Sequence, residues 1–198
     1  MIFLKERMYH ETQRLYFCGI HALNNLLGGP ILTKYSLDEI AMRLAPTSGW
    51  WNNPHKSIFG LGNYDVNVLM IALKDQGYET QYLDTRPGKN LWETQLKQQE
   101  TTALGLVCNV QGIWGRHWKA IKFVANGGDS ETSTPAIATT TTTTTVFYNL
   151  DSKLAAPLKF VSRDELVQHL TGLTEADPNT TILLILPVVS DIHPDPHT

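Results

Sequence analysis

Cys18 stands directly ahead of GIHALNNLLGG, and it shares the chain with only one other cysteine, Cys108. A thiol attacks as its thiolate. A helix N-terminus, a histidine partner and a third group that orients the histidine all favour or exploit that form. After Cys18, Ile20, Ala22, Leu23, Leu26 and Leu27 recur at helical spacing, and Gly28, Gly29 and Pro30 close the run. Cys18 is therefore expected at the positive end of a helix, with Gly19 beside it to let a substrate backbone approach. The competing reading is a small buried core cysteine, since cysteine is among the most buried residue types.

A base has to come from elsewhere in the chain. The histidines are His10, His21, His55, His117, His169, His193 and His197. His193 and His197 fall in the Pro-rich HPDPHT, and His169 sits inside a helical pattern with no evident partner. His21 lies one helical turn from Cys18 and reads as a packing or hydrogen-bonding residue. His55, in WWNNPHKS, and His117, which opens RHWKAIKFV, stay as candidates; a strand start would hold His117 rigidly at a cleft. VFYNLDS then offers two orienting groups, Asn149 and Asp151, on one side of a strand because they are two apart. A hairpin of 117–124 with 146–151 brings the end of the second strand back toward His117. Asp151 would stabilise an imidazolium better than Asn149. Acyl transfer also needs an oxyanion hole, for which the Cys18 N–H and the side-chain amide of Gln13 are available.

The elements that must position these groups read as α+β, with helices in the first half and strands in the second. SLDEIAMRLAP is helical, with Ser36 and Glu39 as a capping box and Leu37, Ile40, Ala41 and Leu44 as its apolar stripe. Residues 47–62 hold turn formers and two adjacent tryptophans and read as a loop. DVNVLMIALKDQG predicts a third helix, capped by Asp65 and stopped by Gly77. Strands are expected at 78–83, 103–110, 117–124, 146–151 and 181–189, a short polar helix at 91–99, and a last helix from a Ser162–Glu165 capping box. One domain over 1–190 with a tail at 191–198 accounts for these elements. The Thr-rich stretch at 126–145 interrupts them. A homopolymer specifies neither register nor buried face, so it reads as a hairpin insertion, the alternative being a Thr run that extends the strand entering Val146.

Composition bounds the function. Apolar residues make up 42%, enough for a packed core, and the net charge of −3 with no basic block argues against nucleic acid and against an electrostatic membrane-surface binder. The longest apolar run, 182–189, is too short to span a bilayer and contains Pro187, so no transmembrane segment is expected. The opening MIFLKERMYHE has no apolar core of signal-peptide length. The expectation is a cytoplasmic protein, with the nucleus open to it, whose thiols are reduced. Cys18 and His21 have the spacing of half a zinc site, but no second half follows, and no phosphate-binding Gly-rich loop occurs. No metal and no cofactor are expected; oligomeric state is left open.

Four stretches resemble one family. YHETQRLYFCGIHALNNLL is similar to the opening signature of the Josephin domain, a papain-like cysteine deubiquitinase. RLAPTSGWWNNPHKSIFGLGNYDVNVLMIALKDQGY resembles the short Josephin-only proteins more than the longer ataxia-associated member, and GRHWKAIK and FYNLDSKL follow in the family's order. The resemblance covers most of residues 9–170. It implies Cys18 as nucleophile, His117 as base, Gln13 as oxyanion residue and Asp151, where some members have Asn, as third member of the triad. It carries His21, Asn24 and Asn25 over as structural. It further implies a papain-like core with a helical arm, ubiquitin or polyubiquitin as partner, and cleavage after ubiquitin's C-terminal Gly-Gly, with Trp118 walling a narrow channel or serving in the core. The alternatives are a catalytically weak or switch-dependent ubiquitin-binding module and another papain-like acyl transferase.

Overall fold

The computed structural model describes residues 8–48, 52–57, 62–86, 89–113, 115–126 and 144–188. Three helices come first, α1 (Cys18–Leu27), α2 (Lys34–Leu44) and α3 (Val66–Asp75). Strands β1 (Tyr78–Tyr82), β2 (Gly105–Gly112), β3 (Gly115–Asn126), β4 (Thr144–Asn149), β5 (Leu158–Lys159) and β6 (Thr181–Pro187) follow, with α4 (Arg163–Ala176) between the last two. All strand pairs are antiparallel, in the order β1-β6-β2-β3-β4-β5. The fold is α+β, with helices from the N-terminal half packed on an antiparallel sheet.

Strand alternation explains the near-continuous apolar runs. Val107, Trp118, Ala120, Leu183 and Ile185 pack with α1, α2 and α3 on one face. Their neighbours Leu106, Cys108, Ile121, Ile182 and Leu184 pack with α4 and the 91–99 segment on the other. A strand covered on both faces has no position left for a polar residue, so ALGLVCNV and TILLIL lose the period-two signature.

Several boundaries differ from expectation for local reasons. α2 starts earlier than a Ser36 cap would allow. Thr33 Oγ1 accepts from the Ser36 N–H at 3.2 Å, and Ser36 Oγ accepts from the Thr33 N–H at 2.9 Å. This reciprocal pair satisfies two otherwise orphaned donors and displaces the Ser36–Glu39 box. α4 is capped by Ser162, but Glu165 accepts from the Val161 N–H rather than closing the box on Ser162. The 91–99 stretch forms a π turn at Trp92–Leu96 running into a 3-10 turn at Lys97–Gln99, with Trp92 and Leu96 buried. Trp92 sets its ring edge-on to Phe147 at 5.7 Å, so this short segment is anchored by packing rather than by helical propensity. Thr144 and Thr145 belong to β4, paired with Asn126 and Ala125, so the end of the Thr run extends the strand. The rest of the 126–145 insertion, the tryptophans of the 47–62 loop and the 191–198 tail lie outside the described residues.

Candidate active site

Cys18 is the first residue of α1 and is 4% exposed. α1 lies against β3 at close range because residue 19 is glycine: a Cβ there would stand 3.3 Å from Leu69 Cδ1 and 3.5 Å from Trp118 Cδ1. Gly19 thus serves the packing of α1 on α3 and β3. Trp118 is a buried core residue whose Nε1–H donates to the Tyr64 carbonyl at 3.1 Å.

His117 enters near the start of β3, and its Nε2 lies 2.7 Å from Asp151 Oδ1. The β3–β4 pairing carries Asp151 there. Ile121 faces Asn149, and the Leu150 N–H donates to the Ala120 carbonyl at 2.8 Å, one residue past the end of β4. Asp151 is therefore in the turn after the strand rather than on it. Asn149 is placed as expected but uses its Oδ1 on the Asp151 N–H at 3.0 Å, and Asp151 Oδ1 also accepts from the Lys153 N–H at 2.9 Å.

The electrostatics favour a protonated imidazole beside a carboxylate. Burial pulls the His117 pKa down, but hydrogen bonds to Asp151 and to Cys18, with the charges behind them, raise it above the ordinary histidine value. With Nε2 committed to Asp151, Nδ1 is the nitrogen left for Cys18. Burial likewise opposes ionisation of Asp151, yet the bond from His117 and the Lys153 N–H hold its pKa below the usual carboxylate range. Cys108 is different: burial pushes its thiol up to about 12, the signature of an inert core cysteine.

Cys18 and His117 face a cleft of 330 Å³, whose rim is built by Gln13, Leu15, Tyr16 and Asn63. Leu15 and Asn63 adopt φ of 51° and 59°, a left-handed conformation that asparagine tolerates and leucine disfavours. Tyr16 bridges to Gly62, and the Asn63 N–H donates to the Tyr16 carbonyl at 2.9 Å. Gln13 is brought to the cleft, with its backbone N–H on the Ser152 carbonyl at 2.7 Å. Its Nε2 donates to the Leu15 carbonyl at 2.9 Å and its Oε1 is buried without a partner. Gln13 thus reaches the cleft with its amide turned toward Leu15.

Sequence reasoning missed Glu11. Its carboxylate accepts from His21 Nδ1, from Asn24 Nδ2 and from the Tyr9 hydroxyl, while His21 Nε2 accepts from the Arg14 N–H. Asn25, beside Asn24, accepts from the Glu11 N–H and donates to both the Glu11 and Leu150 carbonyls. Polar residues at the half-buried His21 and the buried Asn24 and Asn25 positions of an apolar helix were the available signal that a partner segment exists. The other histidines are used elsewhere. His55 Nδ1 lies 2.7 Å from Asp65 at the head of α3, His10 Nε2 is 2.9 Å from the Leu154 carbonyl, and His169 faces Lys119. His193 and His197 lie outside the described residues. Among the described residues no cluster of three or more metal-ligating side chains exists, and no helix is long and apolar enough to cross a membrane.

An antiparallel sheet that presents a histidine and a carboxylate, with a cysteine at the head of a helix packed against it, defines the papain-like class of cysteine-protease folds. Within that class the Josephin family model matches residues 13–185, and the chain belongs to the Josephin family, known as cysteine-protease-like deubiquitinases. It is 38% identical over 160 residues to Josephin-2 of Homo sapiens, covering 76% of this chain and 71% of that protein. It is also 31% identical over 189 residues to a Josephin-like protein of Drosophila melanogaster, covering 89% and 73%. A Josephin-like protein of Arabidopsis thaliana is 34% identical over 177 residues, 81% of this chain and 43% of that protein.

Proposed function

We propose that this protein is a deubiquitinase that hydrolyses the bond after ubiquitin's C-terminal glycine with Cys18 as nucleophile, His117 as base and Asp151 as orienting carboxylate. The observation that carries the reading is the His117 ring, its Nε2 held 2.7 Å from Asp151, facing the same cleft as Cys18. Cys18 sulfur attacks the carbonyl carbon of the isopeptide. The proton shared with His117 passes to the leaving lysine amine as the C–N bond breaks, and a thioester remains. Water, deprotonated by His117, attacks the thioester and releases ubiquitin's carboxylate and the thiol. The backbone N–H of Cys18 supports the oxyanion, and Gln13 joins it once its amide turns from Leu15. A thiol only 4% exposed favours a chain with no side chains near the scissile bond, and Gly-Gly meets that demand.

The orientation of the Gln13 amide toward Leu15 also supports a second reading, a ubiquitin-binding module whose turnover awaits realignment of that side chain. Ubiquitin carrying a thiol-reactive C-terminal group separates the two when reacted with wild type, Cys18→Ala and Cys108→Ala. The expected result is a ubiquitin-sized mass increase lost only in Cys18→Ala. A folded wild type that binds ubiquitin without labelling would favour the second reading and overturn the first.

A further inference from the structure

Lys119 lies two residues along β3 from His117 and is 6% exposed. A buried ammonium is costly unless it is paired. The β3–β4 register ends at Ile121–Asn149 and is prolonged one step by the Leu150–Ala120 bond, so that Asp151, in the turn that follows, comes out level with Lys119. His117, two positions away, is on the same face and diagonal to Asp151. The Asp151 carboxylate meets the imidazole that it orients at 2.7 Å, and the Lys119 charge, reaching it from the same strand, is among the causes that hold its pKa down.

The ammonium is itself held. His169 on α4 brings its Nε2 to 3.3 Å from Lys119 Nζ. Lys119 can only donate, so His169 accepts there and carries its proton on Nδ1. Burial and the Lys119 charge both push the His169 pKa down, which is the state an acceptor requires. The titratable groups around Lys119 are His117 on β3, Cys108 on β2, Asp151 beyond β4, and His169 with Glu165 beyond it on α4. Glu165 is occupied at the head of α4 by the Val161 N–H. Asp151 is the carboxylate across the strand pair.

Building on the Cys18–His117–Asp151 reading, we propose that Lys119 is a positioning residue for this triad. Its ammonium, held by His169, keeps the Asp151 carboxylate ionised and turned toward His117. The charges then alternate from Lys119 to Asp151 to His117 to Cys18, and removing the first weakens the support for an imidazolium–thiolate pair at the last.

The test is the pH profile of Cys18 carbamidomethylation by iodoacetamide, read by mass mapping, in wild type, Lys119→Met and Lys119→Gln. This readout does not need ubiquitin. Met keeps the length without charge; Gln keeps a donor for His169 without charge and carries the test should the Met variant fail to fold. The expected result is an acid limb displaced upward by roughly half a pH unit or more in both variants. An acid limb that stays in place in a folded variant, whatever its melting temperature, makes Lys119 a packing residue and overturns the proposal. A wild-type Cys18 that reacts no faster at neutral pH than an ordinary thiol fails the triad reading first, and this proposal with it.

Discussion

His117 and Asp151, 34 positions apart in the chain, meet with Nε2 2.7 Å from Oδ1. The contact is made by sheet register together with the turn that follows β4. The β3–β4 pairing continues one hydrogen bond past β4, and the Asn149 side chain then turns the chain so that the carboxylate faces the ring.

Asp151→Asn leaves an acceptor for the His117 N–H but removes the charge that stabilises the imidazolium. The expected outcome is a fall in kcat on the order of 10²-fold with KM little changed, and a larger fall for Asp151→Ala. Steady-state hydrolysis of a C-terminal ubiquitin fluorophore conjugate measures both. Equal activity of Asp151→Ala and wild type would remove Asp151 from the mechanism.

The raised His117 pKa and the lowered Asp151 pKa make stability pH-dependent in opposite directions. The folded protein holds the His117 proton more tightly than the unfolded chain does. That stabilisation is complete below the unfolded histidine value, about 6.5, and is lost as pH rises through the raised folded value. The Asp151 contribution is present above the unfolded carboxylate value, about 3.9, and is lost only as pH falls through its lowered folded value. Urea unfolding of wild type and His117→Asn is therefore expected to show the widest gap in stability at mildly acidic pH, narrowing toward alkaline pH. A gap independent of pH would contradict the raised value.

Glu11→Gln tests the network behind the Gln13 segment. The glutamine cannot accept from His21, Asn24 and Tyr9 as a charged carboxylate does, and the expected loss is about 1–3 kcal/mol in chemical denaturation. Turnover should fall more than this stability loss explains, because Arg14, which donates to His21, follows Gln13 directly. A variant as active as wild type would separate the network from the cleft.

At Gly62, φ is 99° and a Cβ would lie 2.5 Å from the Tyr16 carbonyl oxygen. Gly62→Ala forces the two rim segments apart. The expected cost is about 1–3 kcal/mol of stability, read from the denaturation midpoint, with weaker ubiquitin labelling of Cys18 because Tyr16 and Asn63 line the cleft. A midpoint within error of wild type would show that the rim is not held by this approach.

The parts of the site legible in the sequence were those written in local patterns. Cys18 at a helix start followed from the spacing of Ile20, Leu23 and Leu27. The meeting of His117 and Asp151 needed an antiparallel hairpin, which the strand patterns announced, but Asp151 reaches the ring from the turn past β4 and not by strand alternation. What the sequence hid depends on side chains that meet across the fold. Gly19 packs under Leu69 and Trp118, and nothing local announced either neighbour. Glu11 looked like one more surface acid until His21 and Asn24 arrived from α1. The Gln13 position could be named, but the direction of its amide is decided by the carbonyl of Leu15, a residue whose left-handed backbone no propensity would assign.

Asn25 was introduced as a hydrogen-bonding partner of Glu11 and Leu150. Seen mechanically, it is a pin through three parts. It belongs to the helix headed by Cys18, grips the backbone two residues before Gln13, and grips the backbone one residue before Asp151. A displacement of any one of these segments drags the other two with it. The spacing of the reacting groups therefore travels as one piece, and alignment for attack rests on a single amide rather than on three independent segments.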